Sequence, residues 1–376
     1  MNKFFVFVVL VLLGFGCFNK PTDGGQIIIN QTQNNQTLPH NETIGIVGEP
    51  TYVCELIDDK AHTIGVGGAD LGIPVALPSQ GNKLWIIFGD VFGASGLGSG
   101  GASAVLEAQT PFNCAQTNWK TKVDGKFYQP LTSKRQQGDS STVPAGAIEI
   151  NGTLYLYSMR VDHWANKLVP GDETTAHGVL FKEQGDDFVE VISWPVDEKH
   201  TNTAPVWGEL NGETVIFMAI TGKYRESPVY LAYVKPGEIE NKNAYHYLTG
   251  LGSNNQPSWS TNIADASPIK GMENVKVGEV SLVKNEKYLM MFQSYGGSGG
   301  YMLFSADQPY GPYSSPAKFT PCGTILKPAS WLQPGWSGCY GGYIFPNNFG
   351  VDGKDIYYTI SVWRPYTTVV LKMRTG

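Results

Sequence analysis

The chain has 376 residues, 41% hydrophobic and 16% charged, with a formal net charge of −6. Lys and Arg are scattered rather than massed, so no nucleic-acid partner is expected. The length allows one large all-β domain or two smaller ones, and 45 glycines with 12% aromatics suit a chain of strands and turns.

Residues 1–17, MNKFFVFVVLVLLGFGC, set Lys3 before an apolar run that ends at Cys17. This reads as a secretory signal of the lipoprotein kind with Cys17 acylated; the alternative is an uncleaved signal-anchor. Either one places the rest of the chain outside the cytoplasm, at the cell surface, with the membrane as its N-terminal partner. Residues 18–48 are polar and rich in Asn, Gln, Thr and Gly, too poor in apolar surface to fold alone, and read as a tether. Three Asn-x-Thr glycosylation sequons fall within it, at Asn30, Asn35 and Asn41, and a fourth lies at Asn151. Residues 49–376 form the expected folded domain, a monomer. Four cysteines remain after Cys17, an even number that suggests disulfides in an exported chain. They allow three pairings; the one that closes a short loop between Cys322 and Cys339 leaves Cys54 with Cys114. No CxxC or HExxH spacing suggests a transition-metal site.

Five segments then share one grammar, an apolar run, a tight polar turn and a β-branched or aromatic run: 72–90, 145–159, 205–221, 278–294 and 341–362. Asn151-Gly152, Asn211-Gly212 and Asp352-Gly353 are two-residue hairpin signals. Matching positions in the second strands, Trp85, Tyr155, Val215, Tyr288 and Ile356, are 70, 60, 73 and 68 residues apart. That rough period signals a repeat architecture. Each interval leaves room for two more strands, such as 177–183, 227–235 and 300–309. Five units of four strands make an all-β, five-bladed β-propeller; a β-sandwich, or a pair of them, lacks a reason for the period.

In an antiparallel hairpin, the residues before the first strand and after the second lie at the same end. That rule gathers Asp70 and Asp90 from the first hairpin, and Asp139, Arg160, Asp162, His163 and Trp164 from the second. The third adds His200, Asn202, Lys223 and Arg225, the fourth Glu279 and Gln293, and the fifth Tyr340, Trp363 and Arg364. Asp70, Asp139 and Glu279 thus converge as carboxylates, with Asp90, Arg160, His163, Trp164, His200, Asn202, Arg225, Tyr340, Trp363 and Arg364 as candidate substrate contacts. Glycoside cleavage needs such a set: one carboxyl to protonate the leaving oxygen, another as base or nucleophile, and a third to hold the acid's proton by like charge. Aromatic faces suit sugar C–H surfaces, and Arg and Asn suit hydroxyls. The blander readings are a turn role for Asp70 and Asp139, structural histidines, core tryptophans and an Arg225–Glu226 ion pair.

The stretches VGGADLGIPVAL, LWIIFGDVFG, GDSSTVPAGAIEINGTLYLYSM, ESPVYLAYVKPGEIENKNAYHYLTG, PSWS, VGEVSLVKNEKYLMMF, DQPYGPYSSP and GGYIFP run in order from about residue 64 to 346. Together they resemble an extracellular family first catalogued as a domain of unknown function, number 4185, with members in glycoside hydrolase family 183, the endo-D-arabinanases. Where that family has T-D-L-G and F-G-D-T, this chain has Ala69-Asp70-Leu71-Gly72 and Phe88-Gly89-Asp90-Val91, keeping the carboxylates and losing both threonines. The resemblance implies a five-bladed propeller that cleaves arabinofuranose-containing polysaccharide, with Asp70 and Glu279 at catalytic positions. By the blade order of other five-bladed propeller glycosidases, Asp70 is base or nucleophile and Glu279 is acid. No organic cofactor is implied. Oxygen ligands are plentiful enough for a calcium ion in the channel, although no loop has a calcium signature. The competing reading is a non-catalytic surface propeller that binds glycan or protein; a lyase or sialidase-like enzyme ranks lower, because no arginine triad falls at matched blade positions.

Overall fold

Each of the five recurrent hairpins forms the inner half of an antiparallel sheet in a computed structural model, which describes residues 45–93, 102–131, 141–165, 168–295, 300–319, 338–350, 352–363 and 366–376. The first strand, β1 (Ile46–Glu55), belongs to the last blade. Blade 1 is β2 (Gly68–Ala76), β3 (Lys83–Phe92), β4 (Ala102–Gln109) and β5 (Asn118–Trp119). Blade 2 is β6 (Ser141–Ile150), β7 (Thr153–His163), β8 (Thr175–Gln184) and β9 (Asp187–Ser193). Blade 3 is β10 (Asn202–Leu210), β11 (Glu213–Thr221), β12 (Val229–Val234), β13 (His246–Leu251) and β14 (Pro257–Ser260). Blade 4 is β15 (Val277–Lys284), β16 (Tyr288–Ser294), β17 (Tyr301–Ala306) and β18 (Ala317–Phe319). Blade 5 is β19 (Cys339–Phe349), β20 (Asp355–Val362) and β21 (Thr367–Thr375), completed by β1 on its outer edge. The innermost strands β2, β6, β10, β15 and β19 ring the axis as neighbours. The fold is a five-bladed β-propeller.

Three details go beyond the hairpin grammar. Blade 3 has a fifth strand, in which Ser258 and Trp259 pair with Gly250 and Leu248. Blade 5 borrows β1, whose Ile46 and Val47 pair with Thr375 and Arg374, so the sheet starts before the expected boundary at residue 49. The Asn151-Gly152 and Asn211-Gly212 turns hold both residues at positive φ, as a type I′ turn requires, whereas at Asp352-Gly353 only the glycine does so and the loop is wider.

Long apolar runs such as Thr214–Thr221 read as strands buried on both faces, and the reason is the blade stacking. Ile216, Met218 and Ile220 of β11 pack with Leu180 and Trp194 of blade 2, while Val215, Phe217 and Ala219 pack with Met290 and Phe292 of blade 4. A period of two thus shares one strand between two cores. Each such large side chain contributes about 1.5–3 kcal/mol by leaving water.

The described disulfide is Cys54–Cys114, which ties β1 to the segment after β4 and so clamps the last blade to the first. Cys339 is also disulfide-bonded. Cys17, Asn30, Asn35, Asn41 and Cys322 lie outside the described residues. Asn151 sits exposed in the β6–β7 turn. Among the described residues no helix is long and apolar enough to cross a membrane. The Cys54–Cys114 bond spans 60 residues. Loop-closure entropy sets its contribution at about 4 kcal/mol. A Cys54→Ser/Cys114→Ser variant is therefore expected to unfold about 2–5 kcal/mol more readily in denaturant titrations, and an unchanged midpoint would refute the clamp.

Candidate active site

Strand β2 does not run straight into its partner. Asp70 pairs with Gly89 and Ile73 with Ile87, so Leu71 and Gly72 contain one residue more than the opposite strand. The same extra residue recurs in blade 4 between Val277 and Val280, and in blade 5 between Tyr340 and Tyr343. A bulge bends the strand and re-aims its side chains. Here it does so at Asp70, at Glu279 and beside Tyr340. Leu71 stands at φ 65° and Gly72 at 67°. A Cβ on Gly72 would come within 2.7 Å of Thr368, so only glycine fits. Asp90, Arg225 and Tyr366 also hold positive φ, at 39°, 59° and 73°. Such backbone costs free energy and persists where the surroundings impose it, commonly at working sites.

Asp70 is buried at 6% exposure. Its Oδ2 accepts hydrogen bonds from the hydroxyls of Tyr366 (2.7 Å) and Tyr340 (2.9 Å), while Oδ1 has no partner. Glu279, at 5%, repeats the pattern from the other side. Its Oε1 accepts from the Tyr224 hydroxyl (2.9 Å) and from Arg225 Nη2 (3.3 Å), and its Oε2 has no partner. The Arg225 guanidinium lies 4.6 Å from the Tyr224 ring centroid, 4.5 Å from that of Tyr295 and 6.0 Å from that of Tyr340. Tyr340 therefore touches both halves of the site, as a donor to Asp70 and as a face for the cation on Glu279.

Burial pushes the Asp70 carboxyl well above the usual carboxylate range, and the negative charges of Asp90 and Glu279 push the same way. The Tyr366 and Tyr340 hydroxyls oppose the shift without cancelling it. Both phenols are held above their ordinary values by burial and then by the Asp70 charge, so they remain O–H donors.

Other expected residues frame this pair. Asn202 is buried and donates to the Gly278 carbonyl at 3.3 Å, bracing the bulge that presents Glu279. Trp164 stacks edge-on against Tyr224 at 5.8 Å and remains 37% exposed. Trp363 is 51% exposed and leans on Tyr340 and Tyr366. These two indoles form an aromatic rim from blades 2 and 5.

The structure puts three candidates elsewhere. Arg160 is buried against Phe181 and paired with Glu190 at 2.9 Å, within blade 2. His163 is exposed and bound to Asp172 at 2.7 Å. His200 stacks on Trp194 at 4.1 Å and contacts Thr203 and the Tyr247 hydroxyl; burial holds its pKa well below the ordinary value. Arg160 thus pairs within blade 2, His163 faces solvent, and His200 sits between Trp194 of blade 2 and Tyr247 of blade 3. Asp139 and Arg364 lie outside the described residues. Among the described residues, no three His, Cys, Asp or Glu side chains gather to hold a metal ion.

Four contributing residues were not among the candidates: Tyr224, Tyr295, Tyr343 and Tyr366. Tyr295 directly follows a second strand and Tyr224 lies three residues past one, where the hairpin rule would have found them. Tyr366 directly precedes a third strand, which the rule does not reach. Tyr343 is buried with its hydroxyl unpartnered, and the charges of Glu279 and Asp70 both act on it. It also lines an axial channel of about 360 Å³ below the site, where Pro74, Ala145, Pro205, Leu282 and Ile344 supply one wall from each blade. Neither Asp70 nor Glu279 lines that channel.

Residues 57–372 match the family described as "Domain of unknown function (DUF4185)". No curated protein matches the chain. Among solved structures, a Bacteroides ovatus protein provisionally assigned as a hydrolase aligns over 84% of this chain and 87% of its own, with 13% identity and a TM-score of 0.55, and shares the fold. An exo-β-1,3-galactanase of Phanerochaete chrysosporium aligns over 86% of this chain and 64% of its own, with 11% identity and a TM-score of 0.49. An arabinanase of Bacillus subtilis aligns over 82% and 96%, with 12% identity and a TM-score of 0.42.

The raised Asp70 pKa has a consequence for stability. The folded chain binds this proton more tightly than the unfolded chain, so stability declines as pH rises from the unfolded value of about 3.9 toward the folded one. Asp70→Asn keeps an acceptor for the two phenols and cannot ionise. It is expected to raise the melting temperature by a few degrees near neutral pH, with the gain shrinking as pH falls toward about 4. Melting curves across that range check this; a variant less stable at every pH would refute it.

Proposed function

The chain belongs to the domain of unknown function 4185 family, and from that premise and the paired carboxylates we propose that it is a glycoside hydrolase cleaving internal linkages of an arabinofuranose-containing, D-arabinan-like polysaccharide. The observation that carries the reading is the matched state of Asp70 and Glu279. Each has one oxygen held by two donors and one buried oxygen without a partner, in bulges at the same end of the innermost strands. Leaving a carboxylate oxygen buried and unbonded costs about 1–3 kcal/mol, more for a charged group, which is poorly spent on structure alone. A pair in this state suits proton delivery to a glycosidic oxygen and activation of water or attack at the sugar carbon.

The substrate class rests on supporting features. Trp164 and Trp363 offer exposed aromatic faces for sugar C–H surfaces. The similarity of fold to the Bacteroides hydrolase is consistent with bond cleavage. The arabinofuranose assignment rests on the ordered stretches that resemble the endo-D-arabinanases. The N-terminal segment to Cys17 is proposed to anchor the enzyme, as a monomer, on the outer face of a membrane.

Sugar release by the full chain from D-arabinan, L-arabinan, galactan and xylan tests the proposal. Release from D-arabinan is expected, with kcat/KM lowered by roughly 100-fold or more in Asp70→Asn and in Glu279→Gln. Equal activity of wild type and both variants would overturn the site; inactivity on the whole panel with tight glycan retention would favour a binding module.

A further inference from the structure

The two carboxylates are built alike in hydrogen bonding and unlike in charge, and from this we infer that Asp70 carries the proton of the pair and Glu279 the negative charge. Within the glycosidase reading, on which this assignment rests, Asp70 becomes the general acid and Glu279 the group that activates water or attacks carbon. That is the reverse of the order implied by other five-bladed propeller glycosidases.

The argument starts with the neighbours of each group. Glu279 faces the Arg225 guanidinium, which stays charged throughout the working pH range, together with the phenols of Tyr224, Tyr295 and Tyr343. Its Oε1 lies 3.3 Å from that cation, which offsets a negative charge there. Asp70 faces the neutral phenols of Tyr340 and Tyr366 and the acidic side chains of Asp90 and Glu279. Among the described residues no Lys, Arg or His contacts it. Two like charges close together in a buried site do not both ionise readily, and the proton goes to the member without a cation.

Hydrogen bonding then says where that proton sits. Oδ2 of Asp70 already receives two O–H donors. The acid hydrogen therefore resides on Oδ1, the oxygen with no partner among the described residues. Tyr340 and Tyr366 act as positioning residues that occupy one oxygen and leave the other to donate. In the reaction, the Asp70 Oδ1 proton passes to the glycosidic oxygen as the bond from the sugar carbon to that oxygen breaks, and the electron pair leaves with the oxygen. Water supplies the new oxygen on the carbon: in direct attack it gives its proton to Glu279 Oε2, and where Glu279 has first bonded the carbon it gives its proton to the ionised Asp70 while Glu279 departs as a carboxylate. After direct attack the proton passes from Glu279 to Asp70 through solvent, and in either course the net change is hydrolysis.

Carboxyl carbon NMR of the full chain, labelled at aspartate Cγ and glutamate Cδ, tests the proton's place without any substrate. One aspartate resonance is expected to keep its protonated shift at pH values where the other aspartates have ionised. It should vanish in Asp70→Asn, persist in Glu279→Gln, and titrate at lower pH in Asp90→Asn. A protonated glutamate signal lost only in Glu279→Gln, or an aspartate set that ionises together with no proton retained, would overturn the assignment. The Asp90→Asn titration keeps the test open should Asp70→Asn fold poorly.

Aryl arabinofuranosides separate the roles in turnover. With a dinitrophenyl leaving group, which needs no acid, Asp70→Asn is expected to lose less than about 10-fold while losing roughly 100-fold on glycan. Glu279→Gln should lose both activities; the opposite pattern would overturn the roles. A wild type inactive on every glycoside, with the NMR signal still assigned to Asp70, would remove the hydrolase reading and leave the proton placement standing.

Discussion

A carboxylate removed from water must be met by donors or give up its charge, and this constraint governs the top of the propeller. The closed ring of inner strands leaves Asp70 and Glu279 almost without solvent. The surrounding chain answers with phenols and one guanidinium rather than with a mesh of ion pairs. Tyrosine suits the task because its ring fills space between blades while its hydroxyl donates at the tip. Burial keeps those hydroxyls protonated, so their donation is permanent. Arg225, flanked by the rings of Tyr224 and Tyr295, supplies the one positive charge that contacts Glu279 among the described residues.

The positions of these groups come from repeated departures from ideal pairing. Bulges in blades 1, 4 and 5 fall within three residues of the start of the inner strand or just beyond it, and each contains glycine: Gly72, Gly278, or Gly341 with Gly342. Blade 3, whose inner hairpin pairs without interruption from Asn202 to Leu210, offers no carboxylate there and contributes through the loop after its second strand, with Tyr224 and Arg225. A regular hairpin sends alternate side chains into the two neighbouring cores. One extra residue breaks that alternation and turns a side chain toward the axis.

Charge then distinguishes two sites that hydrogen-bonding geometry makes nearly equivalent. Each acidic side chain has one saturated and one open oxygen, but a cation stands beside only Glu279 among the described residues. Positive φ at Leu71, Asp90, Arg225 and Tyr366 concentrates backbone strain around the same few residues. The five stacked cores supply the stability that offsets it.

The local sequence determined the hairpins, their number and the end of each at which polar residues collect, because a period of two, a turn of Asn and Gly, and the antiparallel rule all act within about twenty residues. That was enough to bring Asp70, Glu279, Asn202, Arg225 and Tyr340 to one face. It was not enough to separate them from Arg160, His163 and His200, which lie on the same hairpin ends but meet Glu190, Asp172, and Trp194 with Tyr247. Only the tertiary structure decided that difference, since it depends on the radial position of a strand and on a one-residue bulge that a propensity pattern does not register. The closing strand β1 and the phenol of Tyr366 were hidden for the same reason: their partners are hundreds of residues away, and pairing over such separations leaves no mark in a local period.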